Sequence, residues 1–132
     1  MQQHAANKYL RQRVETATPA ELIGMLYDAG TSAIRSGIAA LENGDRAEMC
    51  RQFLRGQDVV MELRCALNPD AGEIAQNLDR IYAYLFQRLV DANIKRDAGA
   101  AREAVALLSS LQEAWREAVL GQQAAQPVST GS

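Results

Sequence analysis

Residues 18–41 read TPAELIGMLYDAGTSAIRSGIAAL and predict a long helix with a well-marked start. Thr18 stands at the N-cap, Pro19 at the first helical position, and Glu21 completes a capping box three residues after the cap. Apolar residues then recur every three or four positions, which is typical of one buried helix face. The predicted inward stripe is Leu22, Leu26, Ala33, Gly37 and Ala40, widened by Ile23, Gly30 and Leu41.

Three glycines interrupt this helix at Gly24, Gly30 and Gly37. Each glycine lowers helix stability by up to about 1 kcal/mol relative to alanine. We expect them to mark places where another helix approaches closely, with functional flexibility as the alternative explanation.

Three more helical segments of similar length follow with very short connections. Asn43-Gly44 ends the first helix, and Asp45 with Glu48 forms a second capping box. Asn68-Pro69-Asp70 breaks the chain, because proline cannot continue a helix and restricts the residue before it. Asp70 with Glu73 is predicted to cap the third helix, and Asp97 the fourth. The predicted helices are 18–43, 46–67, 71–96 and 98–120.

No strand pattern competes with these helices, so the predicted fold class is all-α. Helices joined by such short connections run antiparallel to their chain neighbours, which gives an up-down-up-down four-helix bundle. Residues 1–17 are expected to be a flexible segment that caps the bundle or hangs free, with Tyr9, Leu10 and Val14 as its apolar residues. Residues 121–132 are small and polar and are expected to be a disordered tail.

The inward faces of the later helices follow from the same periodicity. On the second helix, Gln57 and Arg64 interrupt the apolar stripe. They are expected either to be paired inside the bundle or to face a partner. The predicted inward residues are Met49, Phe53, Val60 and Leu67, flanked by Cys50 and Leu54, on the second helix; Ile74, Leu78, Ile81, Leu85, Leu89 and Ala92 on the third; and Ala101, Val105, Leu108, Leu111, Trp115 and Val119 on the fourth.

Composition excludes several classes of function. The formal net charge of the 132-residue chain is −2, so no basic field attracts nucleic acid or an anionic membrane. No apolar run approaches the roughly 20 residues of a membrane span, and the N-terminus lacks the apolar region of a secretory signal. We therefore expect a cytoplasmic protein. Cys50 and Cys65 would lie on the order of 20 Å apart on one helix, which predicts reduced, partly buried thiols.

Residues that carry enzyme chemistry are missing from the predicted bundle. His4 is the only histidine and precedes the first helix, so the bundle holds no Ser-His or Cys-His pair. Neither a Glu-x-x-His metal motif nor a glycine-rich phosphate loop occurs. We expect no catalysis, no cofactor and no metal.

Apolar residues exceed what the stripe of a small bundle needs. Tyr27, Ile34 and Ile38 form a second line on the first helix, and Tyr82 and Phe86 flank the stripe of the third. They either complete a wide core, pack under the N-terminal segment, or form a groove that receives an apolar helix from a partner. These three explanations stay open on periodicity alone.

Several blocks of the sequence resemble the FliS family of flagellar export chaperones. The resemblance rests on Tyr9 followed by VETATPAELIGMLYDAG at 14–30, on GEIAQNLDRIYAYLFQRLVDANIKRD at 72–97, and on the helix of Trp115. It covers about residues 9–119 and is weakest at 35–56. It implies an antiparallel four-helix bundle with a short N-terminal cap segment.

The resemblance also implies a partner and a role. Members of this family bind the C-terminal segment of flagellin in the cytoplasm, prevent its premature polymerisation and keep it competent for type III export. The export apparatus or an assembly regulator is a further candidate partner, and self-association stays open. The alternative function is a non-catalytic bundle that regulates flagellar assembly through another protein. The expected partner-binding residues are Tyr9, Tyr27, Ile34, Ile38, Tyr82, Phe86 and Asn93.

Overall fold

A computed structural model describes the backbone of residues 18–125 and the side chains of residues 18–121. Four helices account for most of this part of the chain: α1 (Pro19–Glu42), α2 (Arg46–Cys65), α3 (Glu73–Lys95) and α4 (Ala98–Ala125). A short 3-10 turn, Pro69–Ala71, lies between α2 and α3. Each helix packs against its chain neighbours, and α4 returns to pack against α1. The predicted all-α, up-down-up-down four-helix bundle is confirmed.

Three of the four predicted caps form as expected. The Thr18 hydroxyl accepts a hydrogen bond from the Glu21 amide at 3.2 Å. The Asp45 carboxylate accepts one from the Glu48 amide at 3.1 Å, after Gly44 has turned the chain with a φ of +73°. The Asp97 carboxylate likewise accepts the Ala100 amide at 3.1 Å. Each cap satisfies an amide that has no partner within its helix.

The predicted cap of the third helix is wrong. Asn68, not Asp70, accepts a hydrogen bond, from the Asp70 amide at 3.0 Å, and this bond starts the 3-10 turn. The helix itself begins only at Glu73, after Gly72 at a φ of +70°, and has no side-chain cap. The physical reason is that an asparagine before proline makes its own local turn and outcompetes a longer helix.

Two other boundaries shift. The second helix ends at Cys65 and not at residue 67. The fourth helix continues to Ala125, so the first part of the predicted disordered tail is helical. Residues 1–17 and 126–132 lie outside the described residues.

The glycines of α1 sit where other helices come close. A Cβ at Gly24 would meet the Trp115 ring at 2.8 Å, and one at Gly30 would meet Leu108 at 2.8 Å. A Cβ at Gly37 would overlap the Phe53 ring. The expectation of close helix approach is therefore confirmed at all three positions.

The core is centred differently from the predicted stripes. Ile74 is 71% exposed and Leu54 is 47% exposed, so the prediction that both help to fill the core is wrong. Periodicity finds an apolar helix face, but the neighbouring helices decide which part of that face turns inward. Cys65 is exposed rather than partly buried, and both cysteines are free. The largest fully buried side chains are Phe53, Ile34, Leu63, Leu85, Leu89, Leu108 and Val60.

Candidate partner-binding surface

Three of the expected partner-binding residues lie inside the bundle. Tyr27 is 4% exposed, Tyr82 is 3% exposed, and Ile34 is fully buried. All three belong to one core cluster with residues from all four helices, among them Phe53, Leu89 and Leu108. Of the three explanations for the apolar surplus, the wide core therefore holds for these residues. Partner contact at Tyr27, Ile34 or Tyr82 stays a prediction.

The two buried tyrosines are joined through their hydroxyl groups. Tyr27 of α1 and Tyr82 of α3 lie on diagonally opposed helices, and their hydroxyl oxygens are 2.7 Å apart. The Tyr27 ring also meets the Trp115 ring of α4, with centroids 6.1 Å apart. Burial raises the pKa of Tyr82 far above its usual value, and it raises the pKa of Tyr27 as well. Both hydroxyls therefore stay neutral, and their hydrogen bond joins α1 to α3.

The other expected residues are less deeply placed. Ile38 is half-buried on α1 and packs against the core. Phe86 and Asn93 are half-buried on α3. Tyr9 lies outside the described residues. The structure thus does not bring the expected residues together on one open surface, but it leaves Phe86 and Asn93 at the boundary between α3 and α2.

That boundary is a regular antiparallel seam. Asn93 donates a hydrogen bond to the Cys50 sulfur at 3.7 Å. At the other end, Arg64 donates from Nε and Nη2 to the two carboxylate oxygens of Asp79, at 2.6 and 3.3 Å. Both contacts fit one antiparallel register, because Cys50 and Arg64 are fourteen residues apart on α2, and Asn93 and Asp79 are fourteen residues apart on α3. In this register Gln57 and Phe86 come opposite each other midway.

The Arg64–Asp79 pair fixes one end of the seam electrostatically. Its fork-shaped geometry matches both carboxylate oxygens. The guanidinium holds the pKa of Asp79 below its usual range, chiefly through the hydrogen bond. Arg64 had two expected roles, pairing within the bundle or facing a partner, and the pairing is observed. Gln57 is buried, at 8% exposure.

Exposed apolar side chains line the outer edge of this seam. Positions 50, 54, 57, 61 and 64 of α2 recur at steps of four and three, so they lie on the side of α2 that faces α3. Leu54 is 47% exposed and Met61 is 39% exposed. The matching edge of α3 carries Ala83 and Val90, which are half-buried. We call the strip formed by Leu54, Met61, Ala83, Phe86 and Val90 the α2–α3 strip.

The strip can receive an apolar helix. It runs about 20 Å, from the level of Asn93 to that of Asp79, at 1.5 Å rise per residue. A partner helix of a few turns would cover Leu54 and Met61 and so remove apolar surface from water. Sequence reasoning missed this strip, because it assigned Leu54 to the edge of the core and did not single out Met61. The sequence signal for the strip was the seven-residue spacing of Leu54 and Met61 on α2, together with that of Ala83 and Val90 on α3.

Comparison with known proteins identifies the family. The family model described as flagellar protein FliS matches residues 1–123. The chain belongs to the FliS family. It is 33% identical over 117 residues to a flagellar secretion chaperone FliS of Bacillus subtilis, which covers 89% of this chain and 87% of that protein. It is 36% identical over 106 residues to a flagellar secretion chaperone FliS of Salmonella typhimurium, covering 79% and 78%.

The fold agrees with a solved member of this class. A crystal structure of a bacterial flagellar chaperone superposes with a TM-score of 0.72 at 17% identity and covers 92% of this chain and 99% of that one. The FliS family membership makes the chain a flagellar secretion chaperone. Within residues 18–125, no helix is long and apolar enough to cross a bilayer.

Proposed function

We propose that this FliS family member is a cytoplasmic export chaperone that binds the C-terminal segment of a flagellin. Binding prevents premature polymerisation of the flagellin and keeps it competent for type III secretion. The observation that carries the proposal is a helical bundle of this family with an exposed apolar strip between α2 and α3. The role needs a surface that binds an unfolded client, and it needs no catalytic group.

The energetics of such a client favour an extended strip over a deep pocket. A segment that folds as it binds loses ordering entropy, which costs about 2–5 kcal/mol of the interaction energy. Several moderate apolar contacts spread along two helices can offset this cost. Amphipathic helices use this mode when their apolar face lies in a groove of the partner.

The seven residues expected from the sequence divide into two roles in this proposal. Phe86 and Asn93 lie at the strip and are proposed to contact the client directly. Tyr27, Ile34 and Tyr82 are proposed to act from beneath, because they hold the helices that form the surface. Ile38 and Tyr9 are proposed as contacts away from the strip. Truncating Tyr27 or Tyr82 is therefore expected to lower bundle stability, since removing a large buried side chain costs about 3–5 kcal/mol.

Exposed residues of the strip give the sharper test. The double variant Leu54→Gln with Met61→Gln keeps the core intact and replaces two apolar contacts by polar ones. We expect the dissociation constant for the flagellin C-terminal segment to rise roughly tenfold or more, as two partly buried apolar side chains would predict. Isothermal titration calorimetry measures it, and circular dichroism verifies the fold.

Leu120→Gln is the matched control, because Leu120 is also exposed, at 63%, but lies near the end of α4. Unchanged affinity in the double variant would move the binding surface away from α2 and α3. Absence of binding by the unaltered protein would reject the flagellin segment as its partner. Retained binding to a flagellin that lacks its C-terminal segment would instead favour a regulator that recognises another surface.

A further inference from the structure

The end of the α2–α3 seam opens into a pocket. This pocket has a volume of about 710 Å³, within the range of about 300–1,000 Å³ that is usual for small-ligand sites. It lies where α2 ends and α3 begins, beside the 3-10 turn. Its apolar lining comes from Leu67, Pro69 and Ala75.

Two arginines, Arg64 and Arg80, also line this pocket. Arg64 is held in place by Asp79, which occupies its Nε and Nη2 groups and leaves Nη1 outside the pair. Arg80 is exposed and, among the residues that the structure describes, has no ion-pair partner. Arg64, Arg80 and Asp79 line the pocket together, so the lining carries a net charge of +1. The nearby acidic residues, Asp70 of the turn and Glu73 at the start of α3, are outside the lining.

A ligand for this pocket must offer an apolar group and a negative charge side by side. Adjacent side chains of a helix point about 100° apart, so an internal acidic residue could meet this need only together with an apolar residue three or four positions away. The last residue of a polypeptide carries its side chain and its α-carboxylate on one Cα. Arginine is well suited to bind a carboxylate, because its donors match the two oxygens.

We propose that this pocket binds the C-terminal residue of the client polypeptide, with its side chain on Leu67, Pro69 and Ala75 and its α-carboxylate at Arg80 and Arg64. The proposal rests on the proposed function, which places a C-terminal segment on the neighbouring strip. It adds a direction: the client helix runs along α2 and α3 and ends at the 3-10 turn.

The test compares two forms of one peptide. The flagellin C-terminal segment is prepared with a free carboxylate and with a C-terminal amide, and each is titrated by calorimetry into the full chain. Amidation is expected to weaken binding roughly three- to tenfold, the size of a charge-assisted hydrogen bond in a partly exposed site. Arg80→Gln is expected to weaken the free acid by a similar factor and to leave the amide within about twofold.

Arg55→Gln is the matched control, since it removes the same charge from an exposed residue of α2 outside the pocket lining. It is expected to change neither titration. Equal affinity of the acid and the amide would overturn the pocket assignment while leaving the proposed function intact. Equal weakening of both forms by Arg80→Gln would assign the arginine to an internal acidic side chain and also overturn it. Failure of both forms to bind would overturn the proposed function and this inference together.

Discussion

At the scale of single residues, a hydrogen bond between two tyrosine hydroxyls joins the diagonally opposed helices α1 and α3. Tyr27 and Tyr82 are nearly fully buried, and their oxygens are 2.7 Å apart. A buried hydroxyl that loses its partner keeps its desolvation cost without the compensating bond. The pair therefore acts as one unit, in which either tyrosine depends on the other.

Tyr82→Phe should accordingly be more harmful than its small change in shape suggests. It leaves the Tyr27 hydroxyl buried without this partner, and the expected loss in the free energy of unfolding is about 1–3 kcal/mol. The double variant Tyr27→Phe with Tyr82→Phe removes both hydroxyls and should lose less than the two single variants added together. Urea unfolding followed by circular dichroism measures all four proteins. Strict additivity would show that the hydroxyls do not act as a pair.

Alkaline pH should act on the same pair. Burial raises the pKa of Tyr27 and Tyr82 in the folded state, whereas in the unfolded chain both ionise near pH 10. The neutral forms thus contribute stability that is fully present below about pH 10 and is lost as the pH rises toward the folded-state values. We expect tyrosinate absorbance from these two residues to appear only together with unfolding. Early ionisation of all four tyrosines in a folded protein would contradict this.

At the scale of single elements, α2 and α3 begin in different ways. The Asp45 carboxylate caps α2, whereas α3 begins after Gly72 without a side-chain cap. The connection before α3 instead obtains its shape from Asn68 and the 3-10 turn. The start of α3 is therefore positioned by the turn, and that turn also forms one wall of the pocket beside Arg64.

Two aspartates at these connections offer a matched pair of variants. Asp45→Ala removes the cap of α2 and is expected to lower the free energy of unfolding by about 1 kcal/mol. Asp70→Ala removes the same side chain from a position where the carboxylate caps no helix, and the expected change is within about 0.5 kcal/mol. Thermal and urea unfolding give both values. A loss at Asp70 as large as that at Asp45 would mean that Asp70 has a stabilising role the hydrogen bonds do not reveal.

Binding and stability are coupled at the scale of the whole molecule. The proposed client contacts α2 and α3 together, so it binds the folded bundle and not the unfolded chain. The melting temperature should then rise with the concentration of the flagellin C-terminal segment, equivalent to about 2.7 kcal/mol at a hundred times the dissociation constant. Differential scanning calorimetry measures the shift. The variant with Leu54→Gln and Met61→Gln should need more segment for the same shift, and a shift of equal size in both proteins would argue against the α2–α3 strip.

Local sequence rules determined much of this protein by themselves. The caps at Thr18, Asp45 and Asp97 need only side chains and amides three residues apart, so they could be read from short stretches. The number of helices, their order and the antiparallel bundle follow from these starts and from the short connections. The family resemblance rested on such local blocks too, and the match to the FliS family confirmed it.

Only the tertiary structure decided which apolar residues are core and which are surface. Tyr27 and Ile34 stood apart from the predicted stripe of α1 and yet are buried, whereas Leu54 and Ile74 were expected near the core and are exposed. Helical periodicity specifies the relative angles of side chains around one axis, but the rotation of each helix is set by its neighbours. The three glycines of α1 let it approach Phe53, Leu108 and Trp115 closely. In this packing Tyr27 and Ile34 face the core. The α2–α3 strip and the pocket at its end exist because α2 and α3 pack against each other in one register, which no single stretch of sequence specifies.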